Sequence, residues 1–93
     1  MTNTGPLTDE ELGAIQARCA AATPGPWTPY IEGRDHVSGS NFMMTGEGAV
    51  RGGDIALTGA TEADYDFIAH ARQDIPRLLE EVEGLRKLVK PHR

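Results

Sequence analysis

The chain has 93 residues, of which 39% are hydrophobic and 25% charged, and its formal net charge is -5. That length fits one domain able to bury roughly 60–65% of its unfolded surface, and the composition is that of a globular protein, which excludes a disordered tail. The acidic balance argues against a dominant grip on nucleic-acid phosphates, and the single cysteine, Cys19, excludes an intrachain disulfide and a thiolate metal cluster.

Acid is concentrated in the first 73 residues, whereas residues 74–93 hold five Lys/Arg against four Asp/Glu. That slight excess is read as basic residues complementing the end of a helix. No apolar run approaches ~18 residues, and the amino terminus lacks a basic and hydrophobic leader, so a cytoplasmic location is expected.

Residues 1–6 read as a loose lead-in. A helix is expected over 8–22, because Thr8 and Glu11 form a T-x-x-E capping box and Leu7 and Leu12 are placed as a staple across it. Leu12, Ile15, Cys19 and Ala22 line one face, with Ala14, Ala17, Ala20 and Ala21 filling in. On that face Cys19 is a small core residue. Thr23-Pro24-Gly25-Pro26 must end the helix.

The middle, 27–58, is expected to form a small antiparallel sheet of three strands joined by glycine-rich loops. Trp27 to Glu32 reads as a strand whose Pro29 belongs at an edge or bulge. Gly33 to His36 reads as a turn, and Asn41 to Thr45 as a second strand. Asp54 to Thr58 is the third, with Ile55 and Leu57 on one face. Gly46, Gly48, Gly52 and Gly53 suggest a flexible connection between the last two.

Thr61 is a good N-cap for a last helix over 61–90, with Glu62, Asp64 and Asp66 at its positive end. Ile68, Ala71, Ile75, Leu78, Val82, Leu85 and Val89 recur at spacings of three and four, the seam of a helix that packs along another. Asp74-Ile75-Pro76 falls inside this pattern, so a kink or restart is expected at Pro76. Leu79 and Leu88 widen the stripe, and Gly84 weakens the helix by about 1 kcal/mol. The expected architecture is α+β: an N-terminal helix, a three-stranded antiparallel sheet and a long Pro-broken C-terminal helix. Its seam both covers the sheet and joins subunits, with Ile75, Leu78, Val82, Leu85 and Val89 at the oligomer interface.

Two blocks carry a resemblance. "RCAAATPGPW" (Arg18 to Trp27) and "DYDFIAHARQDIPRLLEEVEGLR" (Asp64 to Arg86) resemble small proteins of the Ead-like early-region group found in phages and prophages of actinobacteria. They cover about a third of the chain. The resemblance implies a mobile-element origin, where small acidic proteins act by binding and inhibiting host components; it transfers no functional residue. Residues 30–59 correspond to the part in which members differ. Physically the shared blocks read as scaffold, with Trp27 over the first helix and Phe67 and Ile68 against it.

Candidate chemistry is sparse. Gly46-Glu47-Gly48-Ala49-Val50-Arg51-Gly52 lacks both the dinucleotide fingerprint and the lysine-serine/threonine pair of a P-loop; a hairpin connection is preferred, though its N–H groups with Arg34 and Arg51 nearby suggest an anion site. Asp66, His70 and Asp74 share a helix face with metal-ligand spacing, but exposed carboxylates with one histidine are usually a solvated face, and no metal site or cofactor is expected. No nucleophile–base pair stands out. Aromatic faces and guanidinium groups in the variable middle, namely Trp27, Tyr30, Arg34, His36, Phe42 and Arg51, are what a nucleotide-like ligand would need. The function expected from these readings is a non-enzymatic, homo-oligomeric phage-type accessory protein that counters host defence by binding a host component or a small nucleotide-like signal. The alternatives are a small nucleotide hydrolase using His36 or His70, and a structural or regulatory oligomer without a ligand.

Overall fold

A computed structural model describes residues 6–37 and 39–89. Residues 1–5 of the expected lead-in, the helix end at Lys90 and the terminal His92 lie outside the described residues. The order of elements is helix α1 (Asp9–Ala21), strands β1 (Trp27–Tyr30) and β2 (Phe42–Thr45), a single 3-10 turn at Gly48–Val50, strand β3 (Asp54–Ile55) and helix α2 (Glu62–Val89). This is the expected α+β architecture, with strands shorter than the apolar runs that announced them. Among the described residues no helix is long and apolar enough to cross a membrane.

Both helices start where their side chains dictate. The Glu11 N–H donates to Thr8 Oγ1 at 3.0 Å, and the Thr8 N–H donates back to Glu11 Oε1 at 2.8 Å. Thr61 and Asp64 repeat the exchange at α2, at 3.1 and 3.0 Å. Helix α2 then runs 28 residues with Pro76 inside it, so the expected restart does not occur. One missing N–H removes one rung of the ladder, and the turns on both sides carry the helix through. Pro76 also faces the small side chains of Cys19 and Ala20 across a crevice, where its ring has room.

The sheet has the order β1-β2-β3, antiparallel throughout, with Trp27 opposite Thr45, Tyr30 opposite Phe42 and Met43 opposite Ile55. It packs on the first half of α2, where Ile31, Met43, Tyr65 and Ala69 are buried with Trp27, Ile55, Leu57 and Ile68 around them. Tyr65 also serves as a hydrogen-bond post. Its hydroxyl accepts from the Leu57 N–H at 2.9 Å and donates to the Asn41 carbonyl at 3.2 Å, tying the segment after β3 and the residue before β2 to the helix.

Phe67, expected against Trp27, is instead 75% exposed. Tyr65 and Ala69 are one turn apart and face the sheet, and a residue midway between them points to the opposite side.

Helix α1 lies antiparallel along the second half of α2. Arg86 pairs with Asp9 at 3.1 Å and donates to the Leu7 carbonyl at 2.6 Å, while Gln16 bonds to Glu83 one turn earlier. At the far end of α1, Arg72 Nε donates to the Thr23 carbonyl at 2.9 Å, and the Trp27 N–H donates to Gln73 Oε1 at 3.1 Å. The T-P-G-P-W turn is thus bolted to Arg72 and Gln73. The two sequence blocks that carry the family resemblance are therefore two sides of one joint.

The glycine-rich connection is closed, contrary to the flexible loop its composition suggests. The Gly46 N–H donates to the Pro26 carbonyl at 2.7 Å and the Gly52 N–H to the Thr45 carbonyl at 2.8 Å. Gly46 has φ +70, and a Cβ there would lie 2.2 Å from the Val50 carbonyl oxygen. Glycine is required at this position for both reasons.

Because the sheet and α1 occupy different halves of α2, the molecule is long and thin, 59 × 36 × 19 Å, with a radius of gyration of 16.8 Å. A compact chain of this length has a radius near ~12–13 Å. The difference leaves one side of α2 uncovered.

Candidate functional site

Helix α2 carries two stripes. The inner one, from Tyr65 and Ala69 through Arg72, Pro76, Leu79, Glu83 and Arg86, meets the sheet and α1. The outer one is the heptad seam. From Ile75 onward its large side chains face away from the fold: Ile75 is 39% exposed, Leu78 61%, Leu85 53% and Val89 79%, with Leu88 beside them at 81%. Ala71 and Val82 are half-buried. The expectation that one seam would cover the sheet and also join subunits is corrected here, because the covering is done by a different and more polar stripe. Ile68 alone of the seam packs against the core. An open groove of about 1040 Å³ runs along the outer face, lined by Asp74, Arg77, Leu78, Glu81, Leu85 and Leu88 among others.

The residues expected to bind a nucleotide-like ligand are divided between the two ends of the sheet. At one end Tyr30, His36 and Phe42 pack together, with ring centroids 5.3 Å apart for Phe42 with either neighbour and 6.4 Å for Tyr30 with His36. Rings this close pack on one another, His36 edge-on to both neighbours, and a base would have to separate them. At the other end lie Trp27 and Arg51, since Trp27 pairs with Thr45 and the Gly46–Gly52 turn follows directly. The indole N–H of Trp27 donates to the Thr23 carbonyl at 3.1 Å, which gives this ring a place in the α1–β1 turn.

Both arginines of the set are engaged with carboxylates. Arg34 holds Asp66 through two bonds at 3.0 Å, Glu62 at 3.1 Å and Asp35 at 2.9 Å, buckling the β1–β2 loop to the first turns of α2. The Arg34 hydrogen bond holds the Asp66 carboxyl below the usual carboxylate range. The Asp35 carboxyl is lowered by Arg34 first and by the Ile31 N–H second. The guanidinium pKa is raised in return. Arg51 pairs with Asp54 at 2.9 Å and also donates to the Gly52 carbonyl.

The glycine-loop anion site loses several of its donors in the same way. The Gly46, Val50, Arg51 and Gly52 N–H groups all bond to carbonyls of the chain. Of the candidate metal ligands, Asp66 is held by Arg34, and His70 Nδ1 sits 2.8 Å from the Asp66 carbonyl oxygen. Among the described residues no group of three His, Cys, Asp or Glu side chains is gathered closely enough to hold a metal ion.

Sequence reasoning missed Tyr65 and the Arg34 buckle. Tyr65 lies in an acidic run that reads as solvated, and Arg34 is separated from Asp66 by 32 positions, beyond any local pattern. No protein-family model matches this chain, and comparison with curated proteins and with solved structures gives no match.

Proposed function

We propose that this is a non-enzymatic binding protein that works as a homo-oligomer in the cytoplasm, its copies joined through the outer stripe of α2. The observation that carries this reading is the alignment of Ile75, Leu78, Leu85, Leu88 and Val89 on one exposed helix face. Contiguous apolar surface of this kind marks an interaction site, and sustained a/d spacing calls for a helix as the covering element. Light scattering over rising protein concentration tests it. A mass at least twice 10.0 kDa is expected at high concentration, and a constant monomer mass would refute it.

Within the same proposal, the target is a protein surface of the host in preference to a nucleotide-like signal. Arg34 and Arg51 already serve carboxylates, and a phosphate would have to displace them. Calorimetric titration with cyclic and ADP-ribose-type nucleotides should therefore give no heat. Binding to any of them would restore the nucleotide branch. The mobile-element setting and a role against host defence are supported by the resemblance of the two scaffold blocks.

A further inference from the structure

Resting on the reading of the outer stripe as the joining surface, we propose that its occupant is α2 of a second copy, lying antiparallel with the two-fold axis at Glu80. In that register Ala71 meets Val89, Ile75 meets Leu85 and Leu78 meets Val82, so the six seam residues from Ala71 onward find a counterpart, while Ile68 packs in the core of its own copy. These are the a-to-d layers of an antiparallel helix pair.

Charge chooses the direction. The first turns of α2 carry Glu62, Asp64 and Asp66, and the last turns carry Arg86 and Lys87. A parallel pair sets the two acidic ends side by side and aligns the helix dipoles. The antiparallel pair keeps the acidic ends apart and opposes the dipoles. At the axis the two Glu81 side chains approach one another, with Arg77 of each copy within reach of both. The result is a rod with its two sheets at opposite ends, each free to engage a target, and with Phe67 outside the overlap.

Pulsed electron-spin distance measurement decides the matter. Ala63 is exposed in the first turn of α2, so the full chain carrying Cys19→Ser and Ala63→Cys takes one nitroxide there. At 1.5 Å rise per residue the antiparallel register puts the two labels about 50 Å apart. A distance below about 20 Å would mean a parallel pair and overturn this arrangement while leaving self-association intact. A monomer mass by light scattering together with no dipolar coupling would overturn the joining surface itself. An unlabelled Cys19→Ser chain of unchanged mass and melting temperature guards against loss of folding as the cause.

Discussion

Replacing Leu78 by alanine should weaken self-association strongly while leaving the single chain as stable as before. Leu78 is 61% exposed in the isolated subunit. Full burial of a leucine side chain is worth about 1.5–3 kcal/mol, so covering the exposed part contributes about 1–1.5 kcal/mol in each copy. The symmetric pair contains the residue twice, and a loss of about 2–3 kcal/mol raises Kd about 30- to 150-fold. Sedimentation equilibrium over micromolar to millimolar protein measures that shift directly. Urea unfolding at concentrations below Kd supplies the control, where a surface change should move stability by no more than about 0.5 kcal/mol. An unchanged Kd would refute the argument. So would a large loss of monomer stability, since it would mean that Leu78 packs inside the fold.

Three further outcomes are expected. Tyr65→Phe removes the hydroxyl that joins Leu57 and Asn41, and should lower unfolding stability by about 1–2 kcal/mol by leaving a part-buried N–H unpaired; chemical denaturation measures it. Gly46→Ala combines a positive φ with a 2.2 Å approach to the Val50 carbonyl, and should cost at least about 2 kcal/mol, read as a fall in melting temperature. The Arg34 buckle predicts a pH dependence. Asp35 and Asp66 are depressed in the folded state, so their contribution is present above the unfolded carboxylate pKa near ~3.9 and is lost as pH falls through the folded values. Thermal melts of Arg34→Met should therefore lie below those of the parent at pH 6 and converge with them under acid; a constant gap down to pH 2 would contradict the sign.

The parts of this fold that sequence made legible are those governed by neighbours in the chain. Thr8 with Glu11, and Thr61 with Asp64, fix the helix starts within one turn. Two prolines and a glycine stop α1 where they must. What sequence misjudged was the inward face of α2, and the cause is physical. Apolar periodicity points to the outer stripe, because the inner stripe meets α1 and the turn through Arg72, Gln73, Glu83 and Arg86, which are polar and hydrogen-bonded there. A face satisfied by side-chain hydrogen bonds is invisible to a hydrophobic count. The closed glycine turn was missed for a similar reason, since its lock is the distant Pro26 carbonyl. The candidate ligand residues were chosen by type, and their dispersal follows from register: Trp27 and Tyr30 stand at opposite ends of one strand.

The Gln73 side chain has a consequence for how this protein can go wrong. A primary amide offers N–H donors and a carbonyl acceptor, the pair of groups that one residue of a β-strand presents, and here it accepts from the Trp27 N–H while its nitrogen lies 3.5 Å from the Trp27 carbonyl. Two positions on, Pro29 has no N–H to give, and alternation along an antiparallel strand puts Trp27 and Pro29 on the same outward edge. An approaching strand therefore finds β1 already terminated by a counterfeit neighbour. An open strand edge invites unwanted fibrillar stacking, and this chain keeps its β1 edge out of reach while leaving the helix open to company.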